Sequence, residues 1–293
     1  MNAVVTIGVF DGVHNGHQAL VRETIKIAKE HNLQPIALTF SPHPMSVIRG
    51  MKIDSLSTLE RRIELLKYLG IASVYVCVFD SARASQSPED FINNLLLKDL
   101  KAVHVVVGKG FRFGKGAAGN ATTLREAGIE VTEVDQISES GERVSSTRIR
   151  ELISSGEIES ANKLLSRKFR YEGIVQIGKQ RGRELGFPTA NVIAQVPQAI
   201  PASGVYSGWL TNLETHQTYP AAISVGTNPT FSDVLEPVVE AFAIDQTGLD
   251  LYGVSVAVDF VSKIRPMLAF GSLDELIAAM HEDVSHARIA LNL

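Results

Sequence analysis

The chain has 293 residues, 45% of them hydrophobic and 20% charged, with a formal net charge of -4. That balance excludes a disordered chain and argues against a nucleic-acid polymer as the main partner, while the length favours two domains. A single cysteine, Cys77, excludes an internal disulfide; no apolar run approaches a membrane span, and no basic segment precedes a long apolar stretch at the N-terminus, so a reducing cytoplasm is expected.

Residues 4–9 form an apolar run of strand length, and Leu20, Val21, Ile25, Ile27 and Ala28 recur behind it at helical spacing. Strand-length runs follow at 36–40, 74–79, 103–107 and 129–134. Between them a helix opens at Ser87, with Pro88 at its first position and Asp90 able to reach back to the cap, and a short helix lies near Thr122. Cys77 sits inside the third run and reads as a core thiol, not a nucleophile. Alternating strand and helix predicts an α/β fold with a parallel sheet covered on both faces.

After Arg167 the pattern changes. Short strand-like runs at 171–177, 189–193, 205–210, 219–225, 238–244 and 254–261 are separated by Gly, Pro and Asn, which predicts a closed barrel. Ser272 to Glu275 reads as a capping box, and Leu273, Leu276, Ile277, Met280, Val284, Ala287 and Leu291 make one apolar stripe facing that barrel. Six basic residues crowd together at Arg167, Lys168, Arg170, Lys179, Arg181 and Arg183, and no Lys or Arg follows until Lys263. One concentrated patch suits a small anion, with a solvated face as the competing explanation.

The first strand runs directly into GVFDGVHNGH, residues 8–17. Gly8 and Gly12 allow close backbone approach, and the two histidines fall at the turn into a helix, where unpaired N–H groups and the helix dipole favour an anion. Imidazoles there can donate to phosphate oxygens whose charge grows during phosphoryl or nucleotidyl transfer. A metal pair or packing histidines are the alternatives; the first lacks further ligands at suitable spacing, and the second leaves the glycines unexplained. In the second half, residues 178–191 join glycines to the basic cluster, and Thr189 and Asn191 offer oxygens to a hard cation. A surface loop without function is the alternative. Glu240 stands in an otherwise apolar strand, as a functional carboxylate or as the polar face of a barrel strand.

Residues 8–17 resemble the HxGH motif of the nucleotidyltransferase superfamily, in the form found in bacterial bifunctional riboflavin kinase/FAD synthetases. TFSPHP at 39–44, GKGFRFG at 108–114 and RVSSTRIR at 143–150 look like the same family in order and spacing. GKQRGRELGFPTAN at 178–191 resembles the riboflavin kinase signature, VEAF at 239–242 resembles the strand supplying that kinase's carboxylate, and GTNPTF at 226–231 and LYG at 251–253 also match.

The resemblance implies a Rossmann-like FMN adenylyltransferase domain at residues 1–166 and a riboflavin kinase domain at 167–293, the latter a six-stranded antiparallel β-barrel with a C-terminal helix. It implies that His14 and His17 hold the ATP phosphates during attack on the α-phosphorus, with Gly8, Phe10, Gly12, Arg143, Ser146, Thr147 and Arg150 around the nucleotide. Phe40, Pro42, His43, Phe111, Phe113 and Arg265 are the implied flavin contacts. In the kinase, Gly178, Lys179, Gly182, Arg183, Gly186 and Pro188 would cover the phosphates, Thr189 and Asn191 would contact Mg²⁺ and ATP, and Glu240 would be the general base. The implied activity is ATP- and Mg²⁺-dependent conversion of riboflavin to FMN and of FMN to FAD. Partners would be small molecules, with neither nucleic acid nor membrane, and the chain a monomer or transient homo-oligomer. A kinase with a weak or inactive first domain, or a non-catalytic flavin- or nucleotide-binding module, are the alternatives. Two departures stand out: Gly110 replaces an Asn or Asp common in the family, and Met267 and Ala269 stand where charged residues are common.

Overall fold

A computed structural model of the chain describes residues 1–139, 141–177, 186–227, 237–246 and 248–293. Two units divide it: residues 1–53 with 57–146, and residues 54–56 with 147–293.

In the first unit the elements run β1 Ala3–Ile7, α1 Asn15–Glu30, β2 Gln34–Ser41, α2 Pro44–Arg49, α3 Leu59–Tyr68, β3 Ser73–Val78, α4 Ser81–Ala84 and α5 Pro88–Asp90. A π-helical stretch, Phe91–Asp99, leads on to β4 Ala102–Gly108, α6 Ala121–Glu126, β5 Glu130–Val134 and the hairpin β6 Ser138–Glu139, β7 Glu142–Arg143. The sheet has the order β3-β2-β1-β4-β5 with every pair parallel. All five residues of β1 are buried, as a central parallel strand with both faces covered requires. Val5, Ile7, Leu38, Val105 and Val107 pack with Phe91, Leu95, Leu96 and Leu124 on one side, and Val4, Ala37 and Val106 face Val21, Ala28 and Leu66 on the other. Cys77 lies in the first of these cores, and burial pushes its thiol pKa up. The caps follow the sequence: Ser87 accepts from Asp90 N–H, and Asn120 forms a capping box with Thr123.

The second unit begins in α7 Ser146–Ser155 and continues through α8 Ile158–Leu165, β8 Phe169–Gln176, β9 Thr189–Ile193, β10 Gly204–Asn212, β11 Thr218–Thr227, β12 Pro237–Ala243, β13 Ser255–Pro266 and α9 Leu273–Leu291. Its six strands close into an antiparallel barrel, β10-β11-β12-β9-β8-β13. Burial alternates along the strands: Ala190 and Val192 of β9 and Val239, Ala241 and Ala243 of β12 fill the interior, and the residues between them face outward. At Gly208 a Cβ would collide with the Asp259 carbonyl and the Ile223 side chain, so that crossing of β10 and β13 admits only glycine. Asn162 ties α8 to the barrel, donating to the Phe260 carbonyl at 2.9 Å and accepting from Phe169 N–H at 2.6 Å.

The expected stripe of α9 is only partly the buried face. Ala287 and Leu291 are buried, but Leu273 is 56% exposed, and the buried set includes Asp283. Arg265 of β13 reaches this carboxylate with two bonds of 2.7 Å, so an ion pair fastens the helix where an apolar contact was expected. Among the described residues no helix is long and apolar enough to cross a membrane.

Candidate active sites

In the first unit the strand order reverses between β1 and β4, the kind of switch point at whose carboxyl ends open α/β sheets bind their ligands. The chain leaving β1 turns sharply there: Phe10, Gly12 and Val13 have φ of 54°, 76° and 38°. This left-handed region is uncommon for Phe and more so for β-branched Val, and holding such residues there costs about 1–3 kcal/mol each. Hydrogen bonds fix the turn from outside: Thr39 Oγ1 donates to the Val9 carbonyl at 2.8 Å, Gly12 N–H to Ser57 Oγ at 3.3 Å, and Ser146 Oγ to the Asp11 carbonyl at 2.9 Å.

The turn delivers His14 as the N-cap of α1. His17 N–H donates to His14 Nδ1 at 3.4 Å, which leaves the proton of the neutral ring on Nε2, where it is a donor. The His14 and His17 rings stack with centroids 3.6 Å apart, and Phe10 meets His17 edge-on at 5.2 Å. Gly16 leaves room for this, since a Cβ there would press on the His14 ring at 3.2 Å. The first turn of α1 carries no acidic side chain to compete with an anion.

The other expected contacts of this unit fall in several places. The Phe10 ring is fully buried, so any nucleotide contact from this residue is made by its backbone. Gly8 lies over that ring. Ser146 joins the His14 turn through Asp11, Arg143 is exposed on β7, and Thr147 and Arg150 belong to the second unit, where Arg150 Nε donates to the Asp54 carbonyl at 2.8 Å. Phe40 packs edge-on against Phe79, Pro42 follows a cis peptide bond, and His43 caps α2 by accepting from Met45 N–H at 3.2 Å. Phe111 and Phe113 stack at 5.7 Å after β4; Phe113 is buried and Phe111 is the more accessible ring. Gly110 has φ of 80°, a conformation that Asn and Asp also tolerate, so the departure at this position keeps the turn and drops a side chain.

In the second unit Glu240 stands directly opposite Asn191 on β9 and opposite Ser224 on β11. By the strand alternation Thr189, Asn191, Glu240 and Ser224 share the outer face of the barrel, half-buried. Phe242 continues that face opposite Thr189, packs against Phe187 at 5.2 Å, and Phe187 in turn meets His281 of α9 at 5.1 Å. Gly186 has φ of 87° and Pro188 is exposed just before β9. Gly178, Lys179, Gly182 and Arg183 lie outside the described residues. Ser224 carried no motif signal in the sequence; only the strand register reveals it.

Arg265, the implied flavin contact of β13, donates to both carboxylate oxygens of Asp283 and lies 5.6 Å from the Phe270 ring. One sequence expectation changes here. The basic cluster is not one anion patch in its described part: Arg170 forms a two-bond pair with Asp259 at 2.7–2.8 Å, Lys168 lies over the Trp209 ring at 5.2 Å, and Arg167 donates to the Leu165 carbonyl. Lys179, Arg181 and Arg183 lie outside the described residues.

Paired imidazoles at a helix N-terminus on a doubly wound sheet, and a carboxylate beside an amide and a hydroxyl on a barrel, make one candidate site in each unit, and the matches to known proteins give the class as a transferase. A family model described as FAD synthetase matches residues 1–148, and one described as riboflavin kinase matches residues 165–291. Bifunctional riboflavin kinase/FMN adenylyltransferases of Listeria monocytogenes and Escherichia coli are 36% and 34% identical to this chain, covering 98% and 97% of it and 92% and 91% of their own lengths. A crystal structure of a macrolide-efflux protein from Streptococcus pneumoniae superposes with a TM-score of 0.89 at 32% identity, over 98% of this chain and 94% of that one. The chain belongs to the bifunctional riboflavin kinase/FMN adenylyltransferase family.

Proposed function

We propose that this chain converts riboflavin to FMN in its barrel and FMN to FAD in its α/β unit, with functional divisions at residues 1–166 and 167–293. The observation that carries the reading is one candidate centre in each unit: stacked His14 and His17 after β1 in the first, and Glu240 opposite Asn191 on the barrel in the second.

In the barrel, Glu240 takes the proton of the ribityl 5′-hydroxyl as its oxygen attacks the γ-phosphorus of ATP, and ADP leaves. Asn191 and Thr189 bring neutral oxygens to the same face as that carboxylate. This donor set fits Mg²⁺, which keeps several waters and takes few protein ligands. Bound there with ATP, Mg²⁺ would neutralise phosphate charge. Gly178, Lys179, Gly182, Arg183, Gly186 and Pro188 are assigned to the phosphate cover.

In the α/β unit, an FMN phosphate oxygen attacks the α-phosphorus of ATP and pyrophosphate leaves. His14 Nε2–H and His17 donate to the phosphate oxygens, and the N-terminus of α1 holds the charge in place. Gly8, Gly12, Phe10 through its backbone, Arg143, Ser146, Thr147 and Arg150 are assigned to ATP, Phe40, Pro42, His43, Phe111 and Phe113 to the flavin, and Arg265 of the barrel to the flavin as well. We read the chain as a cytoplasmic protein that acts on small molecules, a monomer or transient homo-oligomer.

The test is incubation with riboflavin, ATP and Mg²⁺ and separation of the flavins. FMN and FAD together, with ADP and pyrophosphate, are expected. FMN alone would reduce the chain to a kinase, and bound flavin without ADP would make it a binding module.

A further inference from the structure

The first unit buries an arginine that no motif announces. Arg62 of α3 is only 5% exposed. Burial pulls its pKa below the usual guanidinium value, and the Asp11 carboxylate, then Glu60, acts to raise it again. Arg62 Nη1 donates to Thr39 Oγ1 at 3.3 Å and to the Phe40 carbonyl at 3.1 Å, while its buried Nε has no hydrogen-bond partner among the described residues. An apolar side chain would fill such a place without the desolvation penalty of a charge, so the guanidinium has to be understood through what it orders.

What it orders is the turn after β1. The Thr39 hydroxyl that accepts from Arg62 itself donates to the Val9 carbonyl at 2.8 Å. Just ahead of the same helix, Ser57 Oγ accepts Gly12 N–H at 3.3 Å. The turn is therefore held at Val9 and at Gly12, on either side of left-handed Phe10 and next to left-handed Val13, with Asp11 between them interacting with the guanidinium. Immediately beyond comes His14.

We propose that Arg62 is a positioning residue for adenylyl transfer: through its hydrogen bonds to Thr39 and the Phe40 carbonyl it holds the strained turn that sets His14 and His17 at the ATP phosphates. The inference rests on the role given above to those histidines. Arg62 touches no reacting atom and acts on the reaction only through the geometry of the turn.

The experiment compares Arg62→Met, Arg62→Lys and Thr39→Val in the full-length chain. FAD formation from supplied FMN and FMN formation from riboflavin are measured on each, with far-UV circular dichroism and thermal unfolding of the whole chain reporting on folding, because the kinase lies in the other unit. Misplacing a catalytic group by a fraction of an ångström is expected to lower kcat for FAD formation in Arg62→Met by at least about tenfold, with FMN formation within about twofold of the parent chain. Arg62→Lys restores part of the loss, because an ammonium can still donate to the Thr39 hydroxyl. Thr39→Val, which retains the shape and removes the bridging hydroxyl, lowers FAD formation in the same direction. Imidazole ¹⁵N signals of His14 report the ring directly: one Nε2–H tautomer in the parent chain, and a mixture in Arg62→Met. A folded Arg62→Met with unchanged kcat for FAD formation, or one whose His14 signals stay put while the rate falls, overturns the inference. If Arg62→Met does not fold, an unaffected Thr39→Val overturns it. A parent chain that makes no FAD overturns the reading of the histidines, whereas parent turnover with an indifferent Arg62→Met overturns the positioning role alone.

Discussion

The rings of His14 and His17 lie face to face, their planes only 16° apart, with the Nδ1 of the first accepting the backbone N–H of the second. One donor of the pair thus fixes the orientation of the other, and neither ring is interchangeable with a simple cation.

His17→Ala removes one donor and the ring that supports His14. FAD formation from FMN is expected to fall by about 10²–10³-fold, the usual consequence of losing one preorganised donor. FMN formation should be untouched, since the motifs lie in separate units. Pyrophosphate and ADP release measured on the same sample distinguishes the two rates, and equal loss of both in a folded variant would contradict the assignment.

Glu240→Gln keeps the shape of the side chain opposite Asn191 and removes its basicity. FMN formation from riboflavin is expected to drop by about 10²–10⁴-fold, the range of general base catalysis. FAD formation from supplied FMN should persist. An unimpaired kinase would strip Glu240 of its role.

Asp283→Ala leaves Arg265 facing a largely buried gap, because the carboxylate is 5% exposed. Breaking a buried pair by removing one partner costs about 3–5 kcal/mol, and the partial exposure of Arg265 places the expected loss near the lower end. Urea unfolding followed at Trp209, which lies on β10 of the same barrel, measures it. A midpoint equal to that of the parent chain would show that α9 is held by its apolar contacts alone.

Tyr206 is fully buried, donates to the Ala202 carbonyl at 2.5 Å, and burial, with a smaller contribution from Glu159, pushes its pKa up from 10.0 to about 12. The folded state therefore keeps a proton that the unfolded chain has already released. Its contribution to stability is complete below pH 10 and is lost as pH rises from 10 towards 12, to a limit of about 3 kcal/mol at 1.4 kcal/mol per pKa unit. Thermal unfolding across that window should show a decline that Tyr206→Phe flattens; the same slope in the variant would assign the decline to other groups.

The strands of both units are legible in the sequence because continuous burial and strict alternation each leave a direct hydrophobic pattern. Helix α3 is not: its buried face carries Arg62 together with Leu66, and an arginine flanked by Glu60, Arg61 and Glu64 reads as solvent-facing. The stripe of α9 misleads for the same reason, since its inward face includes Asp283. Of the sites, the histidines and glycines after β1 are visible because the chemistry is local in the chain. Arg170 looks like part of an anion patch until folding brings it to Asp259, and Ser224 gains meaning only from its place across from Glu240. Pairings between distant strands are written in the register, which no single stretch of residues records.

That register makes the proposed kinase centre a matter of parity. Side chains along β9 and β12 alternate strictly between barrel interior and outer face, so inserting one residue ahead of Asn191 within β9 would turn its amide inward and present an apolar neighbour on the outer face instead. Inserting two would restore the outward phase while sliding the amide along the strand, away from Glu240. The barrel could absorb either change more readily than the chemistry could, and a lineage with such an indel would keep its architecture after falling silent as a phosphotransferase.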